Sequence, residues 1–116
     1  MRKILTVIGA RPQFVKAAIF SNFLKESEFK QRFKEVIIHT GQHYDSILSD
    51  IFFSELEIPT PKYNLEVGSH TSCHQISVMI DKLEPIILKE KPDVILVYGD
   101  TNSSVSASIV GAYLNI

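Results

Sequence analysis

Cysteine is almost missing from the 116 residues: Cys73 is the single one, so no internal disulfide framework can hold the chain and a buried core must do so. An excess of charge is missing too. Lys and Arg number 12 against 13 Asp and Glu, a formal net charge of -1. That balance excludes the broad basic footprint of a nucleic-acid or anionic-membrane binder, and any anion recognition must be local. The longest apolar runs are far too short to cross a bilayer. Met1-Arg2-Lys3 before Ile4 to Ile8 faintly mimics a signal peptide, but Arg11 interrupts it and no small-residue cleavage site follows. Glycine motifs for cofactors are lacking as well: no G-x-G-x-x-G follows the first apolar run, and no G-x-x-x-x-G-K-[ST] occurs. A dinucleotide or a P-loop triphosphate is therefore not expected. No repeat, low-complexity tract or interdomain linker divides the chain. The expectation is a cytoplasmic protein of one domain, without nucleic-acid or membrane partners, and small for an enzyme that encloses its substrate.

Three apolar runs rich in β-branched residues are present: Ile4 to Ile8, Val36 to Ile38 and Val94 to Tyr98. They are continuous rather than alternating, as in parallel strands covered on both faces. Helical patterns lie between them. The first starts after Pro12 and runs through Phe14, Ala17, Ala18, Phe20 and Leu24. The second has Asp45 as N-cap and an apolar face of Leu48, Ile51, Phe52 and Leu56. The third carries Ile76, Met79, Ile80, Leu83, Ile86 and Ile87, is expected to kink at Pro85, and ends before Pro92. A fourth begins near Thr101, with Val105, Ile109 and Ala112 on one side and small residues that permit close approach to a sheet. Lys62 to Thr71 reads as a loop with a short strand near Tyr63 to Leu65. Strands alternating with helices predict an α/β fold, a doubly wound parallel sheet with right-handed crossovers. The pattern breaks off after a helix at Asn115-Ile116, where a further strand is expected.

Each strong strand ends in glycine followed by polar residues that packing does not require: Gly9-Ala10-Arg11, Gly41-Gln42-His43 and Gly99-Asp100-Thr101. In an open parallel sheet these carboxyl ends share one edge, where ligands bind beside helix N-termini, so Arg11, Gln42, His43, Asp100 and Thr101 should converge. Turn formation alone is the alternative for any one of them. Arg11 before the first helix and Lys16 one turn inside it would suit a diphosphate, helped by free helix amides; Lys16 could equally be a solvated side chain. Asp100 could cap the last helix, with Thr101 or Asn102 as competitors, or act as a general acid or base.

His70 and His74 have the spacing of a helical metal pair around Cys73. Gly68 and Ser69 place His70 at or before the helix start, and no third ligand follows, so no metal site is expected. Nothing marks Cys73 as a nucleophile. His39, inside a buried strand, reads as a hydrogen-bonded core residue.

V-I-G-A-R-P-Q-F-V-K-A-A (residues 7 to 18), H-T-G-Q-H-Y-D (39 to 45) and E-K-P-D-V-I-L-V-Y-G-D-T-N-S (90 to 103), in this order and spacing, resemble the motifs of the non-hydrolysing UDP-N-acetylglucosamine 2-epimerases. The resemblance runs from Lys3 to the last residue. Ser72, Cys73 and His74 depart from a more glycine-rich stretch in the family, whereas Gln75 matches. The resemblance implies a Rossmann-like domain, the N-terminal half of a two-domain, glycosyltransferase-B-like architecture whose members are usually homodimers. Residues 1–116 would form that incomplete domain, with the second domain absent and the chain inactive alone. It further implies substrate-facing roles for Arg11, Lys16 and Thr101, with the first two serving the UDP diphosphate, and an acid–base role for Asp100. Gln42 and His43 match the neighbourhood where some members hold a second UDP-N-acetylglucosamine as activator. The implied reaction eliminates UDP to give 2-acetamidoglucal and adds it back, which needs no cofactor and no metal. A stand-alone nucleotide-sugar-binding module, a hydrolysing 2-epimerase and a glycosyltransferase of similar architecture are the alternatives.

Overall fold

The computed structural model describes residues 1–26, 28–41, 54 and 60–116, with Arg11 described in its backbone only. Four strands, β1 (Arg2–Ile8), β2 (Phe33–His39), β3 (Tyr63–Asn64) and β4 (Val94–Val97), form one sheet in the order β3-β2-β1-β4. All three pairings are parallel. Among the described residues these helices accompany them: α1 (Arg11–Glu26), α2 (Ser72–Glu90) and α3 (Asn102–Tyr113). The chain winds one way from β1 to β2 and β3, then returns past β1 to place β4 on its other side. The sheet thus has its topological switch point between β1 and β4.

Strand alternation distributes the core between two layers. Leu5, Val7, Val36 and Ile38 face α2 and α3, packing with Met79, Leu83, Ile87, Ala107 and Val110. Ile8 and Ile37 face α1 and meet Phe14, Ala17 and Ala18. Each fully buried Leu, Ile or Met side chain contributes about 1.5–3 kcal/mol relative to exposure. Helices on both faces of a parallel sheet are therefore built from the continuous apolar runs. β2 begins three residues before its apolar run, after a 3-10 turn over Glu28–Gln31 in the polar stretch between α1 and β2. The expected helix with Asp45 as N-cap and Leu48, Ile51, Phe52 and Leu56 on its face lies outside the described residues.

The helix of α2 starts four residues before Ile76, because the Thr71 hydroxyl accepts from the His74 amide at 3.3 Å and caps it. Pro85 lies inside α2 and does not end it. Pro85 and Asp81, whose carbonyl the missing amide would have bonded, are both exposed, so water can serve that carbonyl. Lys91 closes the helix in the left-handed conformation (φ 50°), its amide bonding the Ile87 carbonyl.

The small residues of α3 are the ones that approach the sheet. Val105 and Ile109 are 40% and 37% exposed, while Ser103, Ser104, Ser106, Ala107, Val110 and Gly111 form the buried face. The serines can face the core because their hydroxyls are satisfied nearby: Ser106 donates to the Asn102 carbonyl (2.7 Å) and Ser104 to the Tyr98 carbonyl (2.8 Å). Close approach then favours small side chains. A Cβ at Gly111 would lie 3.1 Å from the Ile95 side chain.

At the amino end of the sheet, Glu90 is a buried carboxylate accepting from Lys62 (2.7 Å), Tyr63 (2.8 Å) and Lys3 (3.1 Å). These bonds, Lys62 and Tyr63 foremost, lower its pKa from 4.5 to about 2. The cluster ties the last turn of α2 to β1 and β3.

Candidate functional site

The three glycine-ended strands deliver their carboxyl ends to one edge, as parallel pairing requires. Two of these glycines are in the left-handed region, Gly41 at φ 71° and Gly99 at φ 70°. At Gly41 the need is also steric, since a Cβ would stand 2.9 Å from the Glu66 Cα. The backbone there is pinned further, with the Gly68 amide bonding the Gly41 carbonyl at 2.7 Å.

Gln13 is the hub of this edge and was not singled out among the sequence's candidates. It is only 4% exposed. Its Oε1 accepts from the Gly9 amide (2.8 Å) and the Ala10 amide (3.0 Å), closing the end of β1. Its Nε2 donates to the Tyr98 carbonyl and to Thr101 Oγ1 (2.8 Å), closing the end of β4. One carboxamide thus spans the switch point. With Ala10 preceding the first helical residue, Gln13 is the third residue of α1 and reaches back to the amide before the helix, half of a capping box. That spacing, together with Pro12, is the sequence signal that identifies it.

Two further polar links join the helix starts. Thr40 and Ser103, both buried, share a hydrogen bond of 2.8 Å between the end of β2 and α3. Gln75 donates to the Gly68 carbonyl (2.8 Å) and accepts from Asn102 (2.7 Å), joining α2 to α3.

Asp100 is exposed in the turn after β4, and among the described residues no hydrogen bond or ion pair engages its carboxylate. It is not the cap of α3: Thr101 occupies that position (φ -71°, ψ 168°), and no side chain makes the capping bond. The Thr101 hydroxyl is instead held by Gln13. Lys16 is exposed in the second turn of α1. The start of α1 offers an anion fewer amides than expected, because Pro12 has no N–H and the Gln13 amide bonds the Ala10 carbonyl at 3.0 Å. Arg11 opens α1 beside Ala10, which places its backbone across the switch point from the Asp100 turn. Gln42 and His43 lie outside the described residues.

Tyr98, half-buried at the end of β4, has its phenol pKa raised by burial and then by the Glu35 carboxylate. Glu35 accepts from Ser21 (2.6 Å) and from Thr6 beneath α1. His39 is 6% exposed, its ring edge-on to Phe14 at 5.0 Å, and burial lowers its pKa, which keeps it neutral near pH 7. His70 lies before α2, as the neighbouring Gly68 and Ser69 predict, with its ring 4.7 Å from that of His74; among the described residues no three His, Cys, Asp or Glu side chains gather in a way that could hold a metal ion. Cys73 is exposed. No helix among the described residues is long and apolar enough to cross a membrane.

A parallel sheet covered on both faces, with a polar clamp at its switch point, is an α/β architecture of the kind in which ligands bind at the carboxyl edge. The family model described as UDP-N-acetylglucosamine 2-epimerase matches residues 25–116, and the chain belongs to that family. A Methanococcus maripaludis protein named UDP-N-acetylglucosamine 2-epimerase homolog is 54% identical over 98% of this chain and 30% of its own length. A Pseudomonas aeruginosa UDP-2,3-diacetamido-2,3-dideoxy-D-glucuronate 2-epimerase is 46% identical over 98% of this chain and 31% of its own length. The crystal structure of Methanocaldococcus jannaschii UDP-GlcNAc 2-epimerase in complex with UDP-GlcNAc and UDP superimposes with a TM-score of 0.89 at 39% identity, covering 98% of this chain and 30% of that one. The chain spans about 30% of the length of these relatives.

Proposed function

We propose that this chain supplies one wall of the active site of a non-hydrolysing epimerase that inverts C2 of a UDP-acetamido sugar, UDP-N-acetylglucosamine in the first instance. The observation that carries the reading is Asp100: a carboxylate unengaged by the described residues, set at the carboxyl end of β4 beside the switch point, in a chain of this family. The C2 hydrogen sits on the carbon that bears the acetamido nitrogen and is α to no carbonyl, so simple deprotonation would leave a poorly stabilised carbanion. Elimination avoids this. A base takes the C2 proton as the C1–O bond breaks, UDP departs with the electron pair, and 2-acetamidoglucal remains. Addition of UDP to C1 with protonation of C2 from the opposite face completes the inversion. Asp100 serves as an acid–base group at the sugar. Arg11 and Lys16 stabilise charge on the departing diphosphate, a task left to their side chains because Pro12 has no amide hydrogen and the Gln13 amide is already bonded. Thr101 contributes to substrate binding through the face its clamp leaves open.

The remainder of the site belongs to a second domain facing this one, and the working unit is a homodimer. Gln42 and His43 contact an activating UDP-sugar. The Pseudomonas aeruginosa relative supports a substrate range that includes diacetamido uronates as well as UDP-N-acetylglucosamine. In the natural gene product, Asp100→Asn should depress turnover of UDP-N-acetylglucosamine by about a hundredfold or more while changing UDP binding by less than about threefold. Arg11→Ala should weaken both. Unchanged turnover in Asp100→Asn removes this carboxylate from the chemistry.

A further inference from the structure

We infer that Gln13 is a positioning residue for this site: its carboxamide sets the Asp100–Thr101 turn against the Arg11 loop across the switch point. The inference rests on the function proposed above. It starts from the bonding of one side chain, which is filled on both sides of the gap between β1 and β4. Two bonds go to amides of the β1 end, and two go to the Tyr98 carbonyl and Thr101 hydroxyl of the β4 end. The Ser104 hydroxyl adds a second bond to the same Tyr98 carbonyl (2.8 Å) and lies 3.5 Å from Gln13 Nε2.

The β1 and β4 backbones already pair along the sheet, but the register ends at Val7 with Val97. Beyond that pair, no ladder bond fixes Gly9-Ala10-Arg11 relative to Tyr98-Gly99-Asp100. Gln13 takes over where the ladder stops. Gly99 at φ 70°, with nothing within 4 Å of its would-be Cβ, gives the Asp100 turn no packing of its own at that point. The distance between an acid–base group and the cations that receive the diphosphate is then set by a buried carboxamide that touches neither. An error of about 1 Å in such a placement can cost about a hundredfold in rate.

Two substitutions separate positioning from folding. Gln13→Met keeps length and loses every bond. Gln13→Glu keeps the acceptor for the Gly9 and Ala10 amides; burial against the Tyr98 carbonyl favours its protonated form, whose hydroxyl donates to that carbonyl while the Thr101 hydroxyl turns to donate to it. In the natural gene product with UDP-N-acetylglucosamine, kcat for C2 hydrogen exchange, counted per folded molecule, should fall about tenfold or more in Gln13→Met with KM altered less than about threefold. Gln13→Glu should recover to within about threefold of the unsubstituted protein. Amide exchange supplies the second reading: in Gln13→Met the amides of Gly9 and Ala10 and that of Val105, which bonds the Thr101 carbonyl at 3.0 Å, should lose protection together.

If both variants keep kcat per folded molecule within about twofold of the unsubstituted protein, the inference is overturned. Loss of protection at Gly9 and Ala10 without any change at Val105 overturns it too, since the clamp would then be one-sided. Should the unsubstituted protein exchange no C2 hydrogen, the proposed function fails, and the amide-exchange result alone decides whether Gln13 sets the two strand ends.

Discussion

Protonating or removing the Glu90 carboxylate should uncouple α2 from β1 and β3, and the size of the effect can be worked from its partners. Its pKa is 4.5 in the ordinary state and about 2 in the fold, drawn down by Lys62, Tyr63 and Lys3. At about 1.4 kcal/mol per pH unit the ceiling is about 3 kcal/mol. Lys62 is 53% exposed in its side chain and Lys3 27%, so water screens both and about 1–2 kcal/mol is expected. The folded state binds fewer protons than the unfolded one between these values, so stability rises with pH there. The contribution is complete above about pH 4.5 and disappears as pH falls through about 2. Glu90→Gln keeps a neutral acceptor and loses the charge. Urea unfolding of the two proteins should therefore differ by about 1–2 kcal/mol at pH 6, with the gap closing towards pH 2, while the other carboxylates cancel in the comparison. A gap that stays constant from pH 6 to about 2.5 refutes the reasoning, because it would come from packing and not from the charge.

Two further predictions concern backbone and packing. Gly41→Ala should cost about 2–4 kcal/mol, combining left-handed strain with the Cβ 2.9 Å from the Glu66 Cα, whereas Gly99→Ala, with open space around it, should cost only about 1 kcal/mol. Equal losses in denaturant melts would contradict the close approach at Gly41. On α3, Ala107→Leu should cost about 1–3 kcal/mol by overpacking the sheet, and Val105→Gln about 0.5 kcal/mol or less. The reverse order in thermal melts would contradict the buried small-residue face of α3.

The strands were legible because burial on both faces demands unbroken apolar runs, and Ile4 to Ile8, Val36 to Ile38 and Val94 to Tyr98 have no other reading in a chain this size. The shared polar edge followed from parallel pairing. The small residues of α3 signalled its close approach to the sheet, but not how Ser103, Ser104 and Ser106 could be buried there, which depends on a hydrogen-bond partner for each hydroxyl. The role of Gln13 was hidden in the sequence for a related reason. Its role depends on two backbone segments far apart in sequence, and only its position at the third residue of α1 hints at it. Glu90 is similar: a charged residue at the end of an amphipathic helix reads as solvated until Lys62 and Tyr63 are seen to close over it. Asp100 lay on the expected edge, but its freedom from a capping role became visible only with the backbone of Thr101 in place.

The most direct measurement is hydrogen exchange at C2 of the sugar. The natural gene product should be incubated in deuterated water with UDP-N-acetylglucosamine and, separately, with a UDP-2,3-diacetamido uronate, and the recovered sugars read by NMR. Deuterium at C2 of both epimers of at least one substrate, abolished by Asp100→Asn, is the predicted result. Recovery of both substrates with C2 still protiated and no epimer formed would contradict the assignment of this carboxyl edge to UDP-sugar epimerisation.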